Sequence, residues 1–314
     1  MNSEPLRLGS RKSPMAVSQS GEVARLITER TGRQVEIVGV TTVGDVSREQ
    51  LTQLGGTGVF VSALRESLLR GEVDFAVHSL KDLPTGAAPG ISLAAVPARD
   101  DPRDALVARD GAKLADLAPG ARIGTGSPRR AAQLLLLRPD LRPVPVRGNA
   151  GTRLRAVESG EVAAVVLAYA GLARIGRLDA VTQVFEPDEM LPAAGQGALA
   201  VECSTGRPDL ISLLACADDP VSNAATTAER SVLAALQAGC SAPVGAYAAG
   251  AETLRLHAVV VAANGGTVLR ASAAGPAAEA SSLGREVAAE LLHRGAGRYM
   301  AVSDGHISSG DDDK

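Results

Sequence analysis

The sequence predicts an α/β fold of two α/β domains joined by a double crossover, followed by a small α+β C-terminal domain. Three observations carry this prediction. Residues 1–98 and the stretch from Arg122 to Arg174 each alternate strand and helix patterns, which sets strands in one layer with helices against it. Two breaks, Arg99-Asp100-Asp101-Pro102-Arg103-Asp104 and Pro192 to Gly197, flank the second alternating stretch. After Ser222 the pattern changes to one long helix, then strands, then a last helix.

Leu6–Gly9 reads as a short strand, and Pro14 to about Arg30 as a helix with Ala16, Val17, Val23, Ala24 and Ile27 at helical spacing. Gln34–Val40 is a strand. Gly44 to Gly58 is polar and glycine-containing, a loop, and Val59–Leu69 is a helix. Val73–Val77 is a strand ending at His78, and the alternation implies a largely parallel sheet. Past the first break come strand Arg122–Gly124, helix Pro128–Leu137, strand Pro143–Val146, helix Thr152–Glu158, strand Ala163–Leu167 and a short helix through Arg174. Ala198–Glu202 follows the second break as a strand. A chain broken on both sides of one α/β unit crosses into a second domain and returns to the first. The expected domains are therefore 1–98 with 198–218, then 103–193, then 221–307. The last holds helix Ser222–Leu236, strands Gly245–Ala248, Thr253–Val261 and Thr267–Ala274, and a helix from Ala277 to Leu292. The polar segment 308–314 is expected to be a disordered tail. The double crossing resembles periplasmic-binding-protein-like folds, whose ligand lies between the lobes.

Composition narrows the function. Apolar residues make up 45% of the 314, enough for sizeable cores, and the 21% charged fraction argues against bulk disorder. With no Trp, three Tyr and three Phe, the chain lacks a stacking platform for single-stranded nucleic acid. A net charge of −3 offers no general attraction to nucleic acid or anionic lipid. No apolar run approaches the ~20 residues of a membrane span, and Met1–Ser10 has no signal-peptide pattern. Cys203, Cys216 and Cys240 are odd in number and widely spaced, which suits neither a disulfide framework nor a metal site. A cytoplasmic setting is expected, with no metal, nucleic-acid or membrane partner.

Only four of the 32 basic residues are lysine, so arginine placement carries the information. From Arg122 to Arg174 there are nine arginines against three acids, Asp140, Glu158 and Glu161. A basic cluster is commonly a solvated face, but these arginines gather at helix starts. Arg11-Lys12-Ser13-Pro14 opens one helix, Ser127-Pro128-Arg129-Arg130 a second, and Thr152-Arg153 a third, just past Arg147-Gly148-Asn149. Ser127 suits an N-cap and Pro128 the first helical position. Basic residues there oppose the helix dipole, and local rules fail in this way at functional sites. Free N–H groups, the positive helix end and Arg side chains together make an anion pocket, so the ligand should carry several carboxylates or phosphates.

Asp82 lies in His78-Ser79-Leu80-Lys81-Asp82-Leu83-Pro84, at the carboxyl end of a strand. An aspartate near a proline is commonly a turn residue. On the rim of a cationic cleft it stays ionised and can stabilise a cation or pass protons. Cys240, in Ala238-Gly239-Cys240-Ser241-Ala242-Pro243, has small neighbours that let something bulky approach. Cys203 and Cys216 lie in apolar surroundings and read as core.

These segments resemble, in order and over nearly the whole chain, the porphobilinogen deaminase (hydroxymethylbilane synthase) family. Gly124-Thr125-Gly126-Ser127, Ala170-Gly171-Leu172-Ala173-Arg174, Gly195-Gln196-Gly197-Ala198 and Ala228-Glu229-Arg230 extend the match. The resemblance implies a three-domain monomeric transferase of tetrapyrrole and haem biosynthesis. It would condense four porphobilinogen molecules, with loss of ammonia, onto a dipyrromethane cofactor and then release the linear tetrapyrrole by hydrolysis. It places the cofactor's thioether on Cys240 and the catalytic carboxylate at Asp82. It assigns Lys81, Thr125, Ser127, Arg129, Arg130 and Gly171 to cofactor binding, and Arg11, Ser13, Arg147, Arg153 and Arg174 to the substrate's acetate and propionate groups. The chain departs from the family pattern at Gln53, Thr57 and Gly126 and at Ala238 before the cysteine. Read from the residues alone, a solute-binding or effector-sensing module would also account for an Arg-lined cleft, but gives no reason for Cys240, Asp82 or a third domain.

Overall fold

Five strands make the first sheet of the computed structural model, which describes residues 4–40, 57–239 and 242–300. They are β1 (Leu6–Ser10), β2 (Val35–Gly39), β3 (Phe75–Ser79), β4 (Ile91–Ala95) and the late strand β10 (Leu199–Ser204), in the order β2-β1-β3-β10-β4. The second sheet has β5 (Asp104–Ala108), β6 (Arg122–Gly124), β7 (Arg142–Val144), β8 (Ala164–Ala168) and β9 (Gln183–Phe185), in the order β7-β6-β8-β5-β9. The two orders follow one pattern. In each sheet the first three strands of that order run parallel, the fourth lies antiparallel to both of its neighbours, and the fifth runs in the direction of the first three. That fourth strand, β10 or β5, is the one the chain enters on arriving from the other sheet. Helical crossovers keep successive strands parallel, whereas β5 and β10 are entered without one. The expectation of largely parallel sheets is corrected to mixed sheets for that reason.

The helices are α1 (Pro14–Thr31), α2 (Thr57–Leu69), α3 (Pro128–Leu137), α4 (Ala150–Glu158), α5 (Tyr169–Arg174), α6 (Pro208–Leu214), α7 (Pro220–Ala235) and α8 (Ala280–His293). Local signals start several of them. Ser13 accepts from Ala16 N at 3.3 Å, Asn149 from Thr152 N at 2.9 Å and Asp219 from Ser222 N at 2.8 Å, each capping a first turn. Strands β4, β5 and β9 and helix α6 lie where the sequence pattern assigns no element, β5 starting at the last residue of the first break. β5 is buried throughout but begins with a carboxylate, Asp104, and so does not look like a core strand. Residues 44–56, read as a loop, and 308–314, read as a tail, lie outside the described residues. Helix α2 begins at Thr57, two residues before its expected start.

Each sheet buries its own core. Leu8, Val23, Ile27, Phe75, Cys203 and Leu214 fill one side of the first sheet, and Leu106, Ile123, Leu134, Val166 and Phe185 fill one side of the second. A fully buried side chain of this size stabilises by about 1.5–3 kcal/mol. A third, antiparallel sheet is made of β11 (Val244–Ala249), β12 (Thr253–Val261) and β13 (Val268–Pro276). Helices α7 and α8 pack on it through Val232, Leu236, Leu283, Val287 and Leu291. All three units meet at the crossover. Buried Glu229 of α7 accepts from Arg99 Nη1 at 2.6 Å, Gly195 N at 2.7 Å and Ala248 N at 2.9 Å. Among the described residues no helix is long and apolar enough to cross a membrane.

Candidate functional site

Strand β3 is buried through His78 and delivers the chain to a 3₁₀ turn, Leu80–Asp82, at its carboxyl end. Leu80 is fully buried and anchors the turn, with its N–H donating to Ala198 O at 3.0 Å. Asp82 is half-buried and makes no hydrogen bond or ion pair among the described residues. The register of β10 on β3 pairs Leu199 with Ser79, so residues just before β10 lie beside residues just after β3. That register brings Gln196 to Lys81, whose Nζ donates to Gln196 Oε1 at 3.2 Å.

Gln196 is buried and faces both lobes. Its Oε1 also accepts from Arg130 Nη2 at 3.2 Å, while its Nε2 donates to Pro102 O at 2.7 Å and Asp104 Oδ1 at 2.9 Å. Asp104, at the start of β5, has no exposure and takes two guanidiniums: Arg129 Nη1 on Oδ2 at 2.7 Å and Arg130 Nε on Oδ1 at 2.9 Å. Arg129 Nη1 also donates to Leu191 O at 2.7 Å, and Arg130 Nη1 to Val166 O at 3.1 Å. Both arginines sit at the start of α3 because Ser127 caps it, accepting from Arg130 N at 3.4 Å with Pro128 at the first position. Buried Thr125 accepts from Ser127 N at 3.2 Å and shapes the same turn.

One carboxylate thus serves two guanidiniums, with a third cation beside them. Burial would raise the Asp104 carboxyl, but Arg129 and Arg130 outweigh it and hold it far below the usual carboxylate range. Burial, and then repulsion from Arg130, push the Lys81 ammonium down to about 8 against the pull of Asp82 and Asp104. Burial and Arg130 likewise disfavour charge on Arg153, whose Nε donates to Gly148 O at 3.1 Å. Arg129, Lys81 and Arg153 each crowd Arg130, and cations gathered in this way attract an anion.

The structure places the other expected residues as follows. Arg11 is half-buried, and Ser13 is the cap of α1. Arg147 is exposed and makes no hydrogen bond or ion pair among the described residues. Arg174 is turned to the crossover: Nη2 reaches Asp100 Oδ2 at 2.6 Å and Gly197 O at 2.9 Å, and its carbonyl accepts from Ser18 Oγ at 3.1 Å. Gly171 faces Met15, so this pair sits where α5 meets α1 across the lobes. Cys240 lies outside the described residues. Cys203 is fully buried, which pushes its thiol up to about 11, and half-buried Cys216 packs on the same core. Reading the sequence alone missed Asp104 and Gln196. A signal for the second was present in Gly195-Gln196-Gly197, because Gly197 has φ of 89° and a Cβ there would meet Asp100 O at 2.5 Å. Two crossover segments pass that closely only if one carries glycine. Among the described residues, no group of His, Cys, Asp and Glu could hold a metal.

Comparison with known proteins agrees over the length of the chain. Residues 6–212 match the family model "Porphobilinogen deaminase, dipyromethane cofactor binding domain", and 224–293 match "Porphobilinogen deaminase, C-terminal domain". The chain is 58% identical over 311 residues to the porphobilinogen deaminase of Thermobifida fusca, covering 96% of this chain and 97% of that one. It is 55% identical over 314 residues to porphobilinogen deaminase 1 of Streptomyces coelicolor, covering 96% and 98%. Among solved structures, an ABC transporter periplasmic substrate-binding protein from Coxiella burnetii is similar at 17% identity and a TM-score of 0.42, covering 69% of this chain and 94% of that one.

Proposed function

The chain belongs to the porphobilinogen deaminase family, and from that premise we propose that it joins four porphobilinogen molecules head to tail on a dipyrromethane primer carried by Cys240. Ammonia leaves at each step, and hydrolysis releases the linear tetrapyrrole. Membership also decides in favour of an enzyme, a transferase, over the solute-sensing module that the residues alone left open.

The residues present fit such a primer, which carries several carboxylates and pyrrole N–H groups. Lys81, Arg129 and Arg130 leave positive charge in excess of Asp104, and Arg129 Nε is buried without a hydrogen-bond partner among the described residues. When bound, the primer supplies the nucleophilic pyrrole carbon that the first substrate molecule joins. Lys81, Arg129 and Arg130, with Thr125 and Ser127 shaping their turn, would neutralise its carboxylates. Arg11, Ser13, Arg147 and Arg153 would receive the acetate and propionate of incoming substrate. Gly171 would adjoin the primer, and Arg174 would meet the substrate's carboxylates, both where the lobes join. Among the described residues, Asp82 spends no acceptor oxygen on a hydrogen bond or ion pair. It would take the pyrrole N–H groups, stabilise the cation left when ammonia departs, and receive the proton lost after coupling. That carboxylate, unpaired among the described residues and close to the Lys81 ammonium, is the observation that carries the reading. We propose further that residues 1–98 with 198–218, 103–193 and 221–307 act as three domains of a cytoplasmic monomer.

An intact-mass spectrum of the purified protein tests the primer: a two-pyrrole adduct should be present. It should vanish in Cys240→Ser and persist in Cys203→Ser and Cys216→Ser. An adduct mapped to any peptide without Gly239-Cys240-Ser241 would overturn the attachment.

A further inference from the structure

The turn that carries Asp82 is braced from outside its own lobe. Arg230, on α7 of the C-terminal unit, donates from Nη1 to Leu80 O at 3.2 Å and Leu83 O at 3.0 Å, and from Nη2 to Pro84 O at 2.7 Å. One guanidinium therefore takes the carbonyls on both sides of Asp82. The turn needs such support, because a single 3₁₀ turn has weak hydrogen-bond geometry of its own, here one bond from Leu83 N to Leu80 O at 3.2 Å. The next residue toward the amino end of α7, Glu229, is fully buried and bonded to Arg99, Gly195 N and Ala248 N, so the helix cannot slide relative to the crossover. Helix α7 ends at Ala235, five positions before Cys240.

We propose that Arg230 is a positioning residue for the reaction: it sets where the Asp82 carboxylate stands, and so ties the reaction centre of the first lobe to the helix that leads to Cys240. This rests on Asp82 being the reacting carboxylate. A guanidinium is suited to the task because its planar fork serves several acceptors at once, whereas an ammonium is a point donor. Without it, the carbonyls of Leu83 and Pro84 have no donor among the described residues, and that of Leu80 keeps only the bond from Leu83 N.

The test uses the primer-loaded full chain. Arg230→Ala should lower kcat roughly tenfold to a hundredfold, the range that a misplacement of about 1 Å costs. KM and the adduct mass should stay as in wild type. Arg230→Lys should fall between, and millimolar guanidinium should restore part of the rate to Arg230→Ala but none to Arg285→Ala, an exposed helix control. Adding Arg230→Ala to Asp82→Glu, in which the carboxylate is already displaced, should cause little further loss. Should Arg230→Ala not fold, Arg230→Lys and the same double variant with Lys carry the test. Asp82→Asn separates the two readings: if it keeps turnover within about threefold of wild type, Asp82 is not the reacting group. If Asp82→Asn is inactive while Arg230→Ala behaves like Arg285→Ala, or its loss multiplies fully with Asp82→Glu, Arg230 does not position the turn.

Discussion

Asp104 shows most directly how single residues set this site. Its carboxylate has no exposure, yet it stays ionised because two buried guanidiniums share it. Removing one partner of such a buried group costs about 3–5 kcal/mol, since the others are left uncompensated. Asp104→Asn should therefore lower stability by that order at pH 7 and reduce primer loading, as read by thermal unfolding and intact mass. The folded pKa lies below the unfolded one, so the stability from ionised Asp104 is complete above pH ~4 and is lost as pH falls below it. The variant should lack that acid-side loss, and an unchanged acid limb would refute the assignment. Lys81 titrates in the opposite sense. Burial and Arg130 bring it down to about 8, so the unliganded protein holds its charge below that pH and loses it above. Primer loading onto the apoprotein should slow as pH rises through about 8, and Lys81→Met should load slowly at every pH without that inflection. A wild-type loading rate flat from pH 7 to 9 would exclude a charged Lys81 from primer capture.

At the scale of elements, the helices carry the site by their first turns, and the C-terminal unit carries it by close packing. Ser127 and Asn149 each satisfy a backbone N–H and fix the direction in which Arg129, Arg130 and Arg153 leave α3 and α4. Helix α7 has to lie at a set height for Glu229 and Arg230 to reach the crossover and the Asp82 turn. What sets that height is its contact with α8, where Gly284 touches α7 backbone. A Cβ on Gly284 would lie 2.5 Å from Ser231 Cβ and closer still to Ala228 O. Gly284→Ala should destabilise by about 1–3 kcal/mol through overpacking. Because α7 is displaced, kcat should fall as well. Calorimetry and steady-state rates on the same sample check this, and a stable, fully active Gly284→Ala would mean that α7 has slack.

At the scale of the whole molecule, the two lobes are coupled through their crossover segments. Arg174 of the second lobe holds Asp100 and the Gly197 carbonyl, and Ser18 of α1 holds the Arg174 carbonyl. Gln196 joins Lys81 of one lobe to Arg130 of the other. Arg174→Ala removes a charged donor whose bonds are worth ~1.5–3 kcal/mol each. Hydrogen exchange at Ser18 to Glu22 and at Gly197 should then speed up roughly tenfold or more, with the core strands unaffected. Exchange equal to wild type at those amides would place the lobe contact elsewhere.

Much of this protein can be read from short stretches of chain, because the signals are local. Helix α3, whose start Ser127 and Pro128 mark, and strand β12 are both predicted at their observed bounds. The gathering of arginines at helix starts was likewise visible, since each lies within a few residues of its cap. What the sequence could not settle is what those arginines touch. Arg129 meets Asp104 across 25 positions, Lys81 meets Gln196 across 115, and Arg230 meets Leu80 across 150. A charge at the head of a buried strand looks like a loop until the fold supplies its partners, which is why the sequence pattern sets Asp104 in a crossover. The mixed sheets follow from the same fact. Strand direction in β5 and β10 depends on which lobe the chain has just left, and only the tertiary structure decides that.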